Sequence, residues 1–453
     1  MAVKSDGPVP SRDVTRRMLL ARASLAATGL AGAGLLRADS ADAFAWPAAA
    51  RYDAEVATAW FDLALDLVRT TPGFSPPVAS RALGYAGVTL YEAIAPGTPR
   101  RCSLAGRLNG FPSPPCGPAD VDCHWPTVAN SAMASILRSL FATTPPASAQ
   151  AITDLEQRYA TRGETMLPRG VYERSLARGA EVAESVFEWS VADGGHEGYL
   201  KNFPPFTPPA GPGLWVPTPP GFLSALQPFW GENRPFVAPA DASCSPGPPP
   251  AYAEAPGSPF ADEVFEVYRT ANGLSDEQRA IALYWSDDAG LTATPPGHSL
   301  SILTQVIRRL DLKLGHAAEA YAKVGIAVAD AFISCWRTKF DHNLLRPVTA
   351  IRRLIDPAYG SLLVTPPFAE YTSGHSVQSA AAARVMTDLF GRVAFTDHTH
   401  DRRGLPARSF ESFRAAAREA AISRLYGGIH FRSAIERGLQ QGDCIGRRAS
   451  GLF

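Results

Sequence analysis

Three short segments in the last 115 residues of the chain bring basic, imidazole and hydroxyl side chains into close spacing. In chain order they hold Lys339 and Arg346, then Ser373-Gly374-His375, then Arg424 and His430. Arginine forks and free backbone N–H groups bind tetrahedral oxyanions. Neutral imidazole is both a nucleophile for phosphoryl groups and a ligand for transition metals. The residue types therefore predict one oxyanion site in the C-terminal part of the chain.

The middle segment has the pattern of a helix start. Ser373 stands just before a small-residue helical pattern over residues 377–389, so its side chain is expected to cap free N–H groups. Gly374 lets the backbone approach a bound group closely. The helix dipole and the free N–H groups favour an anion at this point, and His375 lies within reach of that anion.

Lys339 and Arg346 are seven residues apart, a spacing that places both on one helix face, two turns apart. Pro347 predicts that this helix ends at Arg346. The residues around the two cations are aromatic and apolar, so burying them requires an anionic partner. We therefore expect both cations to face the predicted oxyanion.

Arg424 and His430 are six residues apart, and a continuous helix would point them in different directions. Gly427-Gly428 lies between them and is expected to break the helix, which lets His430 turn back towards the site. A histidine placed in this way after an arginine is a candidate ligand for the bound group.

The elements that must position these residues are helices. Apolar residues recur at intervals of three and four from residue 52 onwards, beginning with Val56, Trp60, Leu63 and Leu67. No stretch demands a sheet, so the predicted class is all-α. Two packed helical bundles are expected, one over residues 46–200 and one over residues 260–453, the second of which carries the site.

Residues 201–259 separate the two predicted bundles and are too rich in proline for a regular helix. This segment includes Trp215, Phe222, Phe229 and Trp230, and disordered linkers rarely carry so many aromatic side chains. We expect an ordered loop that lies over the helices and walls a pocket. The alternative is a flexible interdomain linker.

Composition excludes some classes of protein. The 453 residues are 46% hydrophobic, which allows a large core, and the formal net charge of 0 argues against a general nucleic-acid binder. Beyond the N-terminal segment, no run is long and apolar enough to span a membrane. The sequence leaves the oligomeric state open.

Residues 1–45 have the features of a twin-arginine signal peptide. Arg16-Arg17 precedes an apolar run, and small residues before Trp46 offer cleavage sites. The mature protein is then expected in the periplasm or outside a bacterial cell. Six cysteines in an exported protein permit disulfides, and Cys116 and Cys123 are the favoured pair.

The three segments, read as Lys-x6-Arg-Pro, Ser-Gly-His and Ser-Arg-x5-His, resemble the acid phosphatase/vanadium haloperoxidase superfamily. The chain looks closer to the vanadium-dependent haloperoxidases, because Trp336 and Phe368 match aromatic residues that line the halide side in the fungal chloroperoxidase type. Residues 285–288 and 294–296 also resemble that family. In the family an acid pairs with the arginine of the third motif, and Asp287 or Asp288 stands in that place here.

The resemblance implies two four-helix bundles and a vanadate cofactor. His430 is the implied vanadium ligand, and His375 is the implied acid/base for the protons of hydrogen peroxide. The implied contacts to the vanadate oxygens come from Lys339, Arg346, Ser373, Gly374 and Arg424. The implied activity is oxidation of chloride or bromide by hydrogen peroxide to hypohalous acid, with a small organic molecule as an optional acceptor.

One position departs from the superfamily pattern. An aspartate often stands four residues after the last histidine, where it orients that histidine in phosphatases, and this chain has Ala434 there. The change favours a peroxidase over a secreted acid phosphatase that acts through a phospho-histidine. The phosphatase stays the alternative function.

Overall fold

Helices account for most of the described residues, which are 47–112, 122–237 and 244–452 of the computed structural model. They are α1 (Glu55–Thr70), α2 (Pro76–Ile94), α3 (Trp125–Leu140), α4 (Pro146–Met166), α5 (Arg169–Val191), α6 (Pro259–Asn272), α7 (Asp276–Tyr284), α8 (Thr294–Arg309), α9 (Leu314–His342), α10 (Pro347–Leu354), α11 (Gly374–Phe390), α12 (Phe413–Tyr426) and α13 (Arg432–Ser450). The all-α prediction is confirmed. The predicted signal peptide and Cys116 lie outside the described residues.

A small sheet was not predicted. Strands β1 (Phe395–Asp397) and β2 (Arg408–Phe410) pair antiparallel, with Phe395 opposite Phe410. Both phenylalanines are buried and contact each other, with ring centroids 5.5 Å apart. Three residues per strand are too few for alternation to be recognised in the sequence.

Helix α9 is the central element of the fold. It is 29 residues long, is buried over most of its length, and packs against α2 on one side and α11 on the other. From residue 45 onwards the chain forms a single compact unit. The division into two bundles therefore stays a prediction, since α9 contacts helices from both of the predicted halves.

Helices α11 and α13 approach each other very closely. Gly442 of α13 is the tightest point, because a Cβ added there would lie 2.1 Å from the backbone oxygen of Val377 in α11. Only a residue without a side chain permits this spacing. The contact holds α11, and with it Ser373 and His375, against the last helix.

We expect Gly442→Ala to destabilise the fold. The added methyl group must push the α11 and α13 backbones apart, at a cost of about 1–3 kcal/mol, which exceeds the gain in helix propensity of about 1 kcal/mol at most. The measurement is the midpoint of thermal unfolding. Gly360→Ala is the matched control, since no atom lies within 4 Å of a Cβ added there. Equal midpoints for the two variants would contradict the prediction.

The proline-rich segment is ordered where it is described, as predicted. Trp215 is fully buried, and its backbone N–H donates to the carbonyl of Asn343. The N–H of Leu226 donates to the carbonyl of Pro367, next to the predicted site. Further along, Cys244 forms a disulfide with Cys444 of α13. The loop is thus attached to the site-bearing helices at several points.

The predicted end of the helix that carries Lys339 was wrong. The helix that carries Lys339 ends at His342, because Asn343 adopts a left-handed conformation with φ 45°. Pro347 begins a new helix, α10, and does not mark the end of a longer one. The proline pair at residues 295–296 likewise lies in the first turn of a helix, α8. Among the described residues, no helix meets the length and hydropathy that crossing a membrane requires.

Candidate functional site

His430 lies between α12 and α13, where the double glycine ends α12. Gly428 has φ 74°, which favours glycine, and the chain turns there before α13 begins at Arg432. The predicted break is therefore present. His430 is 3% exposed and its ring is held from both sides. Its Nδ1 lies 2.7 Å from Oε1 of Glu370, and its Nε2 lies 3.2 Å from Nη1 of Arg346.

These contacts fix the tautomer of His430. A guanidinium can only donate, so Nε2 of His430 accepts from Arg346 and Nδ1 carries the proton. That proton is donated to Glu370, whose Oε1 also accepts the backbone N–H of Phe431. Burial holds the pKa of His430 well below its usual range, and Arg346 and Lys339 lower it further. His430 is therefore a neutral imidazole with an unprotonated Nε2, whose lone pair accepts from Arg346 and can bond a ligand atom once that hydrogen bond is released.

Glu370 is a site residue that lies outside the three predicted motifs. It supplies the carboxyl partner that the superfamily pattern places four residues after the histidine, where this chain has Ala434. The inference that Ala434 favours a peroxidase is therefore wrong, because a carboxyl group orients His430 after all. A lone glutamate within the apolar run before Ser373 was the available signal. Its contact with His430 spans 60 residues of sequence, so spacing could not reveal it.

Arg346 lies at the start of α10 and not on the helix of Lys339. It is fully buried, and it donates to the carbonyl of Phe368 through Nε and to the carbonyl of Ile429 through Nη1. Its Nη2 is buried and has no hydrogen-bond partner among the described residues. A buried guanidinium N–H without an acceptor is costly, so this atom is a donor that an oxyanion oxygen would satisfy.

Lys339 was predicted to contact the oxyanion directly, but its ammonium group makes other contacts. Its ammonium is fully buried and donates to the backbone carbonyls of Ala369, Glu370 and Thr372. It also lies 5.0 Å from the ring centroid of Phe368. All three N–H donors are thus used within the fold. Lys339 acts on the site through its charge, and it fixes the segment that leads to Ser373.

Ser373, Gly374 and His375 form the start of α11, as predicted. The Ser373 hydroxyl oxygen accepts the N–H of Ser376 as a helix cap, at 3.3 Å. Gly374 and His375 line a cavity together with His430. His375 is 16% exposed, and its Nε2 has no hydrogen-bond partner among the described residues. Burial and the nearby Arg424 hold its pKa well below the usual range, so it is a neutral base facing the cavity.

Arg424 lines the same cavity, but its hydrogen-bond acceptors are not the predicted acidic side chains. Its Nη2 donates to the carbonyls of Trp285 and Ala282, and its Nε donates to the Ser423 hydroxyl. Within the described residues no ion pair joins Arg424 to Asp287 or Asp288, although both carboxylates tend to raise its pKa. The predicted contact between Arg424 and an acid is replaced by contacts to carbonyls.

Asp287 instead belongs to a buried histidine cluster behind His375. Its carboxylate lies 3.0 Å from Nδ1 of His298 and 3.2 Å from Nε2 of His400, and 3.9 Å from Nε2 of His375. Nε2 of His298 lies 2.7 Å from Asp397. The carboxylates raise the pKa of His298 to about 10 against the opposing effect of burial. Asp287 therefore places a negative charge behind His375, at the edge of the cavity.

The cavity above the two histidines has a volume of about 780 Å³. Trp336 and Phe368 form part of its wall, with ring centroids 4.8 Å apart, as the aromatic pattern predicted. The Trp336 N–H does not point into the cavity, because it donates to the carbonyl of Leu226. A small ion near this pair therefore meets ring carbons and not an indole donor.

The site carries more positive charge than it neutralises. Burial lowers the pKa of Lys339 to about 8 and those of Arg346 and Arg424 to about 10. Burial also raises the pKa of Glu370 to about 8, against the effect of Arg346 and Lys339. An oxyanion would relieve this desolvated positive charge and accept a hydrogen bond from Arg346 Nη2. The residues therefore fit an oxyanion whose central atom bonds to Nε2 of His430.

We expect oxyanion affinity to fall with rising pH. Bound sulfate favours protonated Lys339, so affinity is constant below pH 8, where Lys339 is already charged, and falls above it. Glu370 becomes negative over the same range and acts in the same direction. Sulfate keeps its charge throughout, and calorimetric titration should show a decrease that approaches about tenfold per pH unit for each of the two groups. Glu370→Gln should make the decrease shallower. An affinity that stays constant to pH 9.5 would contradict the assignment.

Known proteins share this fold and these motifs. A family model described as the VCPO second helical-bundle domain matches residues 319–359 and 356–453, which run from α9 to α13. The crystal structure of a bacterial vanadium-dependent iodoperoxidase is 36% identical, with a TM-score of 0.80, and the match covers 89% of this chain and 97% of that one. The chain belongs to the vanadium-dependent haloperoxidase family.

Two further relatives are more distant. The holo-type crystal structure of a bacterial vanadium-dependent chloroperoxidase has a TM-score of 0.63 at 16% identity, covers 85% of this chain and 93% of its own, and supports the fold alone. The vanadium chloroperoxidase of Curvularia inaequalis is 24% identical in an alignment 411 positions long that covers 74% of this chain. The match spans 65% of that protein's length, slightly less than two thirds.

Proposed function

We propose that this protein is a vanadate-dependent haloperoxidase, which oxidises a halide with hydrogen peroxide and a proton to hypohalous acid and water. The observation that carries the proposal is a neutral His430 whose Nε2 faces a buried group of cations. Family membership at 36% identity over nearly the whole chain supports it. Bound vanadate supplies a Lewis-acid centre that activates hydrogen peroxide without a change of oxidation state.

The proposed roles follow from the contacts of each residue. His430 Nε2 would hold the vanadate, and Glu370 keeps the imidazole in the required tautomer. Arg346 Nη2, Arg424 and the N–H groups at Gly374 and the start of α11 would bind its oxygens. These charges and dipoles are fixed before the reaction, which is the arrangement that stabilises developing negative charge.

His375 is the proposed proton carrier. Its neutral Nε2 accepts a proton from hydrogen peroxide and returns it to the oxygen that leaves as water. Asp287, 3.9 Å from this nitrogen, stabilises the transient imidazolium. Lys339 contributes positive charge from behind the aromatic pair, although its donors are used by backbone carbonyls.

We propose iodide as the most rapidly oxidised halide, followed by bromide and then chloride. The prediction of chloride or bromide depended on Trp336 and Phe368. The Trp336 N–H donates to the backbone carbonyl of Leu226, so it does not donate to a halide ion. Chloride is more strongly hydrated than iodide and loses more on entering a wall of ring carbons. The 36% identical relative is an iodoperoxidase, which supports the same order.

The test is reconstitution with vanadate followed by steady-state assays. Triiodide formation and halogenation of dimedone are measured with iodide, bromide and chloride at the same peroxide concentration. We expect the value of kcat/KM to fall from iodide to chloride. Peroxide consumption without any halide oxidation, in protein shown to contain vanadium, would overturn the proposed function.

A phosphomonoesterase is the second candidate, and one observation favours it. The pair of Glu370 and His430 is the arrangement that a nucleophilic histidine needs for phosphoryl transfer. Hydrolysis of nitrophenyl phosphate by vanadate-free protein tests this function. Phosphate release without halide oxidation would assign the phosphatase, and vanadate would then act as an inhibitor.

We also propose that the protein is exported through a twin-arginine signal. Arg16-Arg17 and the apolar run after it support this, and a disulfide between Cys244 and Cys444 is typical of oxidising compartments. Fractionation of the producing cells, with N-terminal sequencing of the mature chain, tests the location and the cleavage near Trp46. Recovery of an uncleaved chain from the cytoplasm would overturn it.

A further inference from the structure

The cavity above the two histidines is much larger than its small reactants require. Its volume is about 780 Å³, inside the range of about 300–1,000 Å³ for pockets that bind drug-sized molecules. A halide ion and hydrogen peroxide together occupy on the order of 100 Å³, about three times the share of a water molecule. Most of the cavity therefore has no role in the oxidation of the halide itself.

The walls of the cavity are apolar, whereas its floor is polar. The apolar lining comes from Phe332 and Trp336 of α9, from Leu363 and Val364, and from Leu223 and Leu226 of the proline-rich loop, with Arg69 and Asn202 as polar neighbours. The floor holds His375, Arg424 and His430. An apolar molecule in the cavity would bury its surface against the walls while one edge faces the reactive end.

The rim of the cavity exposes large apolar side chains. Phe203 is 50% exposed, Leu223 is 52% exposed and Val364 is 73% exposed, and all three line the cavity. Clustered exposure of this kind marks a binding surface, whereas scattered single residues do not.

We propose that this cavity binds a neutral, apolar, electron-rich organic acceptor and that the acceptor is halogenated inside it. The proposal rests on the proposed haloperoxidase function. Hydrogen peroxide oxidises the halide by two electrons, and the resulting hypohalous acid replaces one C–H hydrogen of the acceptor with halogen. Acceptor, halide, peroxide and one proton give the halogenated product and two molecules of water.

A small molecule fits the observations better than a protein partner. A partner surface would cover the rim, but it would not require a cavity that leads from Leu223 and Val364 down to His375. The opening and the reactive floor are parts of one continuous space. A second copy of the chain on the rim is the alternative outcome, and light scattering with and without the acceptor detects it.

The first test compares the enzyme with authentic hypohalous acid. 2-Naphthol, which is apolar, and dimedone, which is polar, compete for halogen in one reaction. The ratio of halogenated naphthol to halogenated dimedone should be at least about fivefold higher with the enzyme than with hypohalous acid added from a syringe. The same product ratio in both cases would mean that the acid escapes before it reacts, which overturns the proposal.

Leu223→Ser and Val364→Ser test the walls directly. Both should return the product ratio towards that of free hypohalous acid and raise KM for naphthol, while triiodide formation without acceptor stays within about twofold of wild type. Phe222→Ser is the matched control, because Phe222 is 63% exposed on the same loop and does not line the cavity. Equal effects of Leu223→Ser and Phe222→Ser would contradict the proposal.

Calorimetric titration with 2-naphthol tests the acceptor site independently of the proposed haloperoxidase activity. The wild-type protein should bind naphthol, and Leu223→Ser should weaken binding about fivefold or more, whether or not halide is oxidised. Absence of naphthol binding in a protein that makes triiodide rejects the acceptor site alone. Binding of naphthol in a protein that makes no triiodide rejects the haloperoxidase alone.

Discussion

Replacing His430 with alanine is expected to abolish halide oxidation, with a loss of about 10³-fold or more, and to release the cofactor. Nε2 of His430 is kept unprotonated because Nδ1 donates to Glu370, and it is the proposed ligand nitrogen once the hydrogen bond from Arg346 is released. Without it the oxyanion keeps its hydrogen bonds but loses the bond to its central atom. Vanadium content after equilibrium dialysis should fall in parallel with activity.

The controls for this variant separate loss of a ligand from loss of structure. Alanine at position 430 leaves buried Glu370 and Arg346 without their imidazole partner, so circular dichroism and the thermal midpoint must be measured alongside. His316→Ala removes an exposed histidine and should leave both vanadium content and activity unchanged. Full retention of vanadium by a folded His430→Ala protein would exclude His430 as the ligand.

Replacing His375 with alanine is expected to give the opposite combination, a large loss of rate with the cofactor still bound. General acid–base groups contribute about 10²–10⁴-fold to rate, and Nε2 of His375 is the neutral, unpartnered nitrogen at the cavity floor. Vanadium affinity should change by less than about tenfold, because only one hydrogen bond to the oxyanion is lost. Halide oxidation and vanadium content are measured on the same preparation.

The pH profile gives an independent check of the role of His375. If this imidazole carries the proton, His375→Gln should lose as much rate as His375→Ala, since an amide fills the space but cannot accept a proton near neutral pH. The pH dependence of kcat should also lose the ionisation that belongs to the imidazole. A glutamine variant with wild-type kcat would show that His375 only positions the oxyanion.

Helices and the chemistry of the site could be predicted because both depend on local sequence. The periodicity of Val56 and Trp60 identified α1 within a few residues, and Ser373 capped the helix that its position before small residues predicted. The clustering of cations and imidazoles in three segments identified an oxyanion site. Each of these inferences uses residues that are close together in the chain.

The orientation of the site residues depends on contacts between distant segments, which spacing cannot reveal. Lys339 and Arg346 were expected on one helix face, but Asn343 in a left-handed conformation separates them. Lys339 then turns to three carbonyls while Arg346 reaches His430. The sequence shows only that both side chains are cations. Their hydrogen-bond partners make Lys339 a structural support and leave Arg346 as a direct donor to the proposed oxyanion.

The sequence by itself therefore determined the helical class, the family and the types of side chain that form the site. Tertiary structure decided that Glu370, and not a residue four positions after His430, fixes the tautomer of the proposed ligand. It also decided that Asp287 serves the histidine cluster and not Arg424. The physical reason is that a buried polar group takes whichever partner the packed backbone brings within about 3 Å, and that choice is made only when the helices pack.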